Sequence, residues 1–263
     1  MHTNPYGSSN HSAVMGSLYS TSSEYLNLTH PPPLAYPLPF GRSLASNRKI
    51  KKVFIGDYRF SDDLDFTLLE EYDRKTILEE LLRGVMIARR ESGIGFEENI
   101  VFKETLNGYE APVYFRIIRT SGSPLKIKID LTKIENEPIL LTLEKRRIIH
   151  PYSDECNAEV LVYSLEEIFV EKVRSLFQRT RPRDLYDIWR LKEIIEWRAE
   201  VIFEKFKVKD VQLEFEEFER RKLYYERAWE RSLAHQINPL PEFDRVWNDV
   251  LKFLEELKES AKL

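Results

Sequence analysis

Carboxylates are the residues whose type and spacing could do chemistry in this chain. In Arg59-Phe60-Ser61-Asp62-Asp63-Leu64-Asp65-Phe66-Thr67-Leu68, a strand beginning at Asp63 puts Asp63, Asp65 and Thr67 on one face and Leu64, Phe66 and Leu68 on the other. Two carboxylates side by side repel, and a divalent cation bridging them to substrate phosphate oxygens relieves that repulsion. An all-oxygen donor set suits Mg2+ or Mn2+. Asp-x-Asp alone also reads as a solvated turn. In Lys126-Ile127-Lys128-Ile129-Asp130-Leu131 the same alternation sets Lys126, Lys128 and Asp130 against Ile127, Ile129 and Leu131. A third carboxylate on a neighbouring strand would complete a two-metal site for phosphoryl or nucleotidyl transfer, which needs little beyond positioning and charge neutralisation. The plain alternative is an edge strand with a solvated Lys and Asp face.

A further group sits on helical periodicity. Ser164 followed by Glu167 makes a capping box that opens a helix over 165–178. Its apolar stripe is Leu165, Ile168, Phe169, Val173, Leu176 and Phe177, and Lys172 falls inside it. A lysine on such a stripe either snorkels to the edge or reaches an anionic partner, and near a metal site that partner could be a substrate phosphate. Arg179-Thr180-Arg181-Pro182-Arg183-Asp184-Leu185-Tyr186-Asp187 opens the next helix, with Pro182 as its first residue. Asp184 and Asp187, three apart, share a face. Either they complement the helix dipole, with Arg183 pairing Asp187, or they orient Lys172 or act as base on an acceptor hydroxyl while Arg179 and Arg183 grip phosphates.

These residues need elements to position them. Up to residue 48 the only charges are Glu24, Arg42 and Arg48, amid Ser, Pro, Tyr, Asn and His. That composition predicts a disordered or divergent leader over 1–48. His2, His11 and His30 follow no metal-ligand spacing. From Lys49 onward charge and periodicity return. Strands are predicted over 53–55, 64–68, 101–102, 113–118, 125–131, 139–142 and 158–163, with a helix over 70–91 between the second and third. Helices over 165–178, 182–198, 215–231 and 242–260 follow. The expected plan is α+β: a core over 49–163, with a small mixed or antiparallel sheet because its connections are short, then a helical region over 164–263 carrying the Lys and Asp motifs.

Composition narrows the class. Apolar and charged fractions of 42% and 32% fit a globular chain, the charged share standing above the average of roughly 25%. A net charge of −4, from 40 basic and 44 acidic residues, gives no global pull toward nucleic acid, so a polyanion must find a local basic patch. Cys156 is the only cysteine, which excludes a disulfide framework and a Cys-based zinc cluster. No signal peptide and no run of eighteen apolar residues is present, so a cytoplasmic location is expected.

Taken in order, Arg-x-Ser-x-Asp-Leu-Asp-Phe at 59–66, Lys-Ile-Asp at 128–130, Ser-Leu-Glu-Glu-Ile with Glu-Lys-Val-Arg-Ser-Leu from 164, and Arg-Pro-Arg-Asp-Leu-Tyr-Asp at 181–187 resemble the AbiEii/AbiGii nucleotidyltransferase toxin family of abortive-infection and toxin–antitoxin systems. The resemblance implies a polymerase-β-like core and Mg2+-dependent transfer of nucleotides from a nucleoside triphosphate to RNA, commonly tRNA. It also implies a cognate antitoxin. By position it makes Asp63, Asp65 and Asp130 metal ligands and gives Lys172, Asp184 and Asp187 catalytic roles. Arg59, Ser61, Lys128, Arg179 and Arg183 are the residues expected to bind the nucleotide. One element departs from the pattern. The family's Gly-Gly-Ser/Thr turn, about a dozen residues before Arg59, falls here on Ser46-Asn47-Arg48-Lys49-Ile50, without glycine. Either the leader is divergent and the chain a non-catalytic remnant, or Gly41-Arg42-Ser43 serves as a shifted phosphate loop. A metal-dependent phosphodiesterase would use the same ions.

Overall fold

The computed structural model describes residues 44–46, 50–59, 63–117, 122–149 and 159–260. The 1–43 stretch, including Gly41-Arg42-Ser43, and Ser61 lie outside the described residues. The chain divides into two compact units. One runs to Glu137 and takes in Leu143–Val162; the other comprises Pro138–Thr142 and everything from Tyr163.

The first unit is a mixed sheet with a helix on one face. Its elements are β1 (Leu44–Ser46), the short α1 (Ile50–Val53), β2 (Asp63–Leu68), α2 (Arg74–Ser92), β3 (Gly95–Phe96), β4 (Lys103–Thr105), β5 (Gly108–Arg116), β6 (Leu125–Lys133), β7 (Glu144–Arg147) and β8 (Glu159–Val162). They order as β3-β5-β6-β2-β1-β8-β7, with β4 also on β5. β2 and β6 run parallel, β5 and β6 antiparallel. Alternation sends Leu64, Leu68, Ala111, Val113, Phe115, Ile127, Ile129 and Leu131 into one core with Ile77, Val85 and Ala88 of α2. The opposite face is thereby left to the polar residues of the same strands. Gly108 opens β5 because a Cβ there would lie 2.0 Å from the Leu131 carbonyl oxygen.

The second unit is helical: α3 (Leu165–Gln178), α4 (Pro182–Leu191), α5 (Ala199–Val208), α6 (Phe215–Arg220), α7 (Lys222–Leu233) and α8 (Phe243–Ser260). Aromatic rings fill it, with Phe218 stacked on Trp247 at 4.8 Å and Phe169 edge-on to Phe253 at 5.4 Å between centroids. Among the described residues no helix is long and apolar enough to cross a membrane.

The α+β class and the mixed sheet are as expected, but several elements differ, each for a local reason. The expected strand at 53–55 is the end of α1 and a turn. The helix expected from residue 70 starts at Arg74, because the Asp73 side chain caps it by accepting from the Thr76 N–H at 2.9 Å. Residues 101–102 are not a strand; the pairing begins at Lys103. Residues 139–142 are not a strand either: the N–H groups of Leu140 and Leu141 donate to Glu167 Oε2 at 3.2 and 2.9 Å instead of to a sheet, and the segment packs with the helical unit. The helix expected to run to 198 stops at Leu191, and the chain turns so that Trp197 meets Phe253 edge-on before α5. The charged stretch 215–231 is two helices meeting at Arg221, whose guanidinium donates to the Leu176 carbonyl at 2.6 Å.

Candidate active site

The polar face of the sheet gathers the first set of residues. In the parallel β2–β6 register Asp65 stands opposite Asp130 and Asp63 opposite Lys128. In the β5–β6 register Glu110 stands opposite Asp130. Four acids and two lysines, Lys126 and Lys128, therefore share one face of three adjacent strands. Asp65 is buried, while Asp63, Glu110, Lys128 and Asp130 are half-buried. Lys128 Nζ donates to Asp130 Oδ2 at 3.0 Å and lies 3.2 Å from Glu110 Oε2. Burial pushes the Asp130 carboxyl above its ordinary value; Lys128 pulls it down, and the charges of Asp65 and Glu110 add to the rise. Burial alone would lower Lys128, but its bonds to Asp130 and Glu110 outweigh burial and leave it raised. Arg59 is half-buried in the loop leading to β2, and Lys126 is exposed.

Glu110 is a residue the sequence reading missed. The signal was there: carrying the alternation of Val113 and Phe115 back to Tyr109 puts Glu110 on the polar face, but the strand expected at 113 began too late to include it. At the place of the expected glycine turn the chain runs from β1 into α1. Ser46 pairs with Phe66, which puts its side chain on the face away from Asp65. Among the described residues its buried hydroxyl has no hydrogen-bond partner.

Among the described residues, no three His, Cys, Asp or Glu side chains converge into a ready-made metal cage. The donor set nevertheless fits Mg2+, which binds through one or two carboxylates and completes its shell with water and substrate phosphates rather than with protein alone. Asp65 and Asp130, side by side with like charges on neighbouring strands, would supply that pair.

The second set lies within the helical unit. The Ser164 hydroxyl caps α3 by accepting from the Glu167 N–H at 3.1 Å. The Glu167 carboxylate does not complete a reciprocal box, because it is taken by Leu140, Leu141 and Lys205. One turn further on, Lys172 Nζ lies 2.7 Å from Asp184 Oδ1 and 2.8 Å from Asp187 Oδ2, all three buried. Pro182 at the start of α4 sets the turn that brings both aspartates to one face. Arg179 Nε donates to Asp184 Oδ2 at 2.8 Å. Burial alone would raise Asp184, but Lys172 and Arg179 override it and hold the carboxyl well below the usual carboxylate range. Tyr225 donates its hydroxyl proton to the Arg179 carbonyl at 3.1 Å. Arg183 is half-buried on the first turn of α4.

The profile of the family described as "Nucleotidyl transferase AbiEii toxin, Type IV TA system" matches residues 50–250. The chain belongs to this family. It is thus a nucleotidyltransferase of a toxin–antitoxin family, and both sets of residues lie inside the matched stretch. No curated protein matches the chain. Among solved structures, this AbiEii-family chain is similar to MenT4, a nucleotidyltransferase toxin from Mycobacterium tuberculosis, at 16% identity and a TM-score of 0.48, over 88% of this chain and 68% of that one. It is also similar to an antigenic nucleotidyltransferase-like protein from Paracoccidioides brasiliensis, at 15% identity and a TM-score of 0.30, over 51% and 59% of the two chains. A second buried cluster in the AbiEii helical unit, Lys205 with Glu167 and Glu171, was not singled out from the sequence. Its signal was a lysine between Ile202 and Phe206 on α5.

Proposed function

We propose that this chain transfers nucleotides from a nucleoside triphosphate onto an RNA acceptor, tRNA in particular, with Mg2+ or Mn2+, in the cytoplasm, and that a cognate antitoxin protein silences it. The observation that carries the reading is the register of Asp65 against Asp130 on parallel neighbouring strands. Two adjacent carboxylates hold a divalent cation at low cost once substrate phosphates share it. Such a cation would neutralise charge building on the transferring and leaving phosphates. Asp63, Asp65 and Asp130 are its ligands on this reading. Arg59, Ser61, Lys128, Arg179 and Arg183 are the residues this reading gives to the triphosphate.

The geometry favours one role for the helical aspartates over the other. A carboxyl held as low as Asp184 is a weak proton acceptor at neutral pH, so Asp184 orients Lys172 rather than deprotonates an acceptor, and Asp187 contacts the same ammonium. An ammonium carries three protons, and among the described residues two carboxylates surround this one; on this reading a phosphate oxygen takes the third.

The test is incubation of the full chain with RNA, Mg2+ and each labelled triphosphate in turn. Label should enter RNA, and Asp65→Ala or Asp63→Ala should abolish it. No incorporation from any of the four triphosphates would overturn the reading, and release of label from RNA without triphosphate would mark a phosphodiesterase instead.

A further inference from the structure

Lys128 sits where a cation is needed before any metal arrives. Asp63, Asp65, Glu110 and Asp130 crowd one face of β2, β5 and β6, and like charges on adjacent strands destabilise a sheet. Lys128 places an ammonium among them, 3.0 Å from Asp130 Oδ2 and 3.2 Å from Glu110 Oε2. It therefore holds an oxygen of the carboxylate that a divalent cation would take. Ammonium and Mg2+ cannot share that oxygen closely, so one must yield. Glu110 makes the yielding cheap: it is the cross-strand neighbour of Asp130 and already contacts the same ammonium.

We propose that Lys128 is a placeholder cation that neutralises Asp130 in the metal-free protein and withdraws onto Glu110 when a divalent cation binds, which makes Glu110 a positioning residue for the metal site. The inference rests on the reading of Asp65 and Asp130 as metal ligands. The competing account is an ordinary half-exposed ion pair on a sheet face, of the kind that contributes little.

Mn2+ binding to the full chain without nucleotide, followed by the loss of the free-ion paramagnetic resonance signal, separates these. Lys128→Met and Lys128→Gln should each bind Mn2+ about tenfold tighter, since the competitor is gone. Lys128→Arg should not. Glu110→Gln should weaken binding severalfold in the natural background, because Lys128 loses its retreat. The same change should have little effect on top of Lys128→Met. Purely additive effects of the two changes would show long-range charge alone and overturn the hand-over, as would unchanged or weaker binding in Lys128→Met and Lys128→Gln. Asp65→Asn and Asp130→Asn serve as the separate check. If they leave Mn2+ affinity intact, or if no variant binds Mn2+ at millimolar concentration, the metal reading itself fails.

Discussion

Among the described residues two lysines are buried in the helical unit, and they differ in how many oxygens surround the ammonium. Lys172 on α3 has two, Asp184 Oδ1 at 2.7 Å and Asp187 Oδ2 at 2.8 Å. Lys205 on α5 has three: Pro138 O at 2.5 Å, Glu167 Oε1 at 2.5 Å and Glu171 Oε1 at 2.9 Å. Charge does not tell them apart. Each cluster joins an arginine to its lysine and two carboxylates, Arg179 through Asp184 in the first and Arg174 through Glu171 in the second. Oxygens do. Lys205 donates hydrogen bonds to two of its three oxygens, Pro138 O and Glu167 Oε1, with Glu171 Oε1 in ion-pair contact, and through Glu167 it fastens the Pro138–Thr142 segment. Among the described residues Lys172 has one oxygen fewer around it, and on the proposed function a substrate phosphate takes that place.

The comparison breaks most sharply at Lys205. Lys205→Met leaves two carboxylates buried with one cation between them, and such a loss costs about 3–5 kcal/mol. Urea unfolding should show it, while nucleotide incorporation per folded molecule stays near the natural value. Adding Glu167→Gln should recover much of the loss, because an uncharged acceptor can still serve Leu140 and Leu141. Lys172→Met should do the reverse. Arg179 remains on Asp184, so the stability loss should be smaller, while incorporation should fall about 100- to 1000-fold, the usual effect of removing one charge-stabilising donor. If Lys205→Met abolishes turnover of folded protein and Lys172→Met does not, counting acceptors is the wrong guide.

This contrast also explains what was legible in the sequence. Lys172 stood out because helical periodicity put a charge into an apolar stripe, and Asp63, Asp65 and Asp130 because strand alternation put like charges on one face. Both are local rules. Lys205 obeys the same rule as Lys172, yet its helix was not foreseen, since residues 192–198 turn to seat Trp197 on Phe253, a partner more than fifty positions away. Glu110 was hidden by a strand boundary set five residues late. The segment 139–142 reads as a strand by its apolar content, but a carboxylate from α3 takes its N–H groups, a tertiary competition that no local pattern encodes. The sheet order, with parallel β2 and β6 side by side, depends on pairing partners some sixty residues apart.

Asp184 and Glu167 should respond to acid in opposite directions. Asp184 is held below its ordinary value in the folded chain, so its contribution is fully present above the unfolded value of about 3.9 and is lost as pH falls toward its lowered native value. Glu167 is pushed up, by burial first, with Lys205 and the Leu141 N–H opposing. Its charged form is thus disfavoured by folding, and that cost is relieved as pH falls through its raised native value toward about 4.3. Asp184→Asn should be less stable than the natural chain at neutral pH, with the gap closing below about pH 4. Glu167→Gln should remove a gain that begins at higher pH. Urea midpoints from pH 7 to pH 2 read both, and a gap for Asp184→Asn that widens in acid would reverse the assignment.

The smallest effect is expected at Tyr225, which touches the open cluster through an uncharged group. Its hydroxyl donates to the carbonyl of Arg179, the residue whose guanidinium grips Asp184. Tyr225→Phe removes one neutral hydrogen bond from a buried site, worth about 1 kcal/mol. Burial pushes the phenol of Tyr225 upward, so it does not ionise below its ordinary value of about 10, and the cost should be flat from pH 6 to pH 9. A flat cost with unchanged incorporation means the bond only holds α7 to the end of α3. A flat cost with incorporation reduced several-fold means that Arg179 must be aligned through its backbone for Asp184 to hold Lys172, and the open cluster then extends one residue beyond its charges.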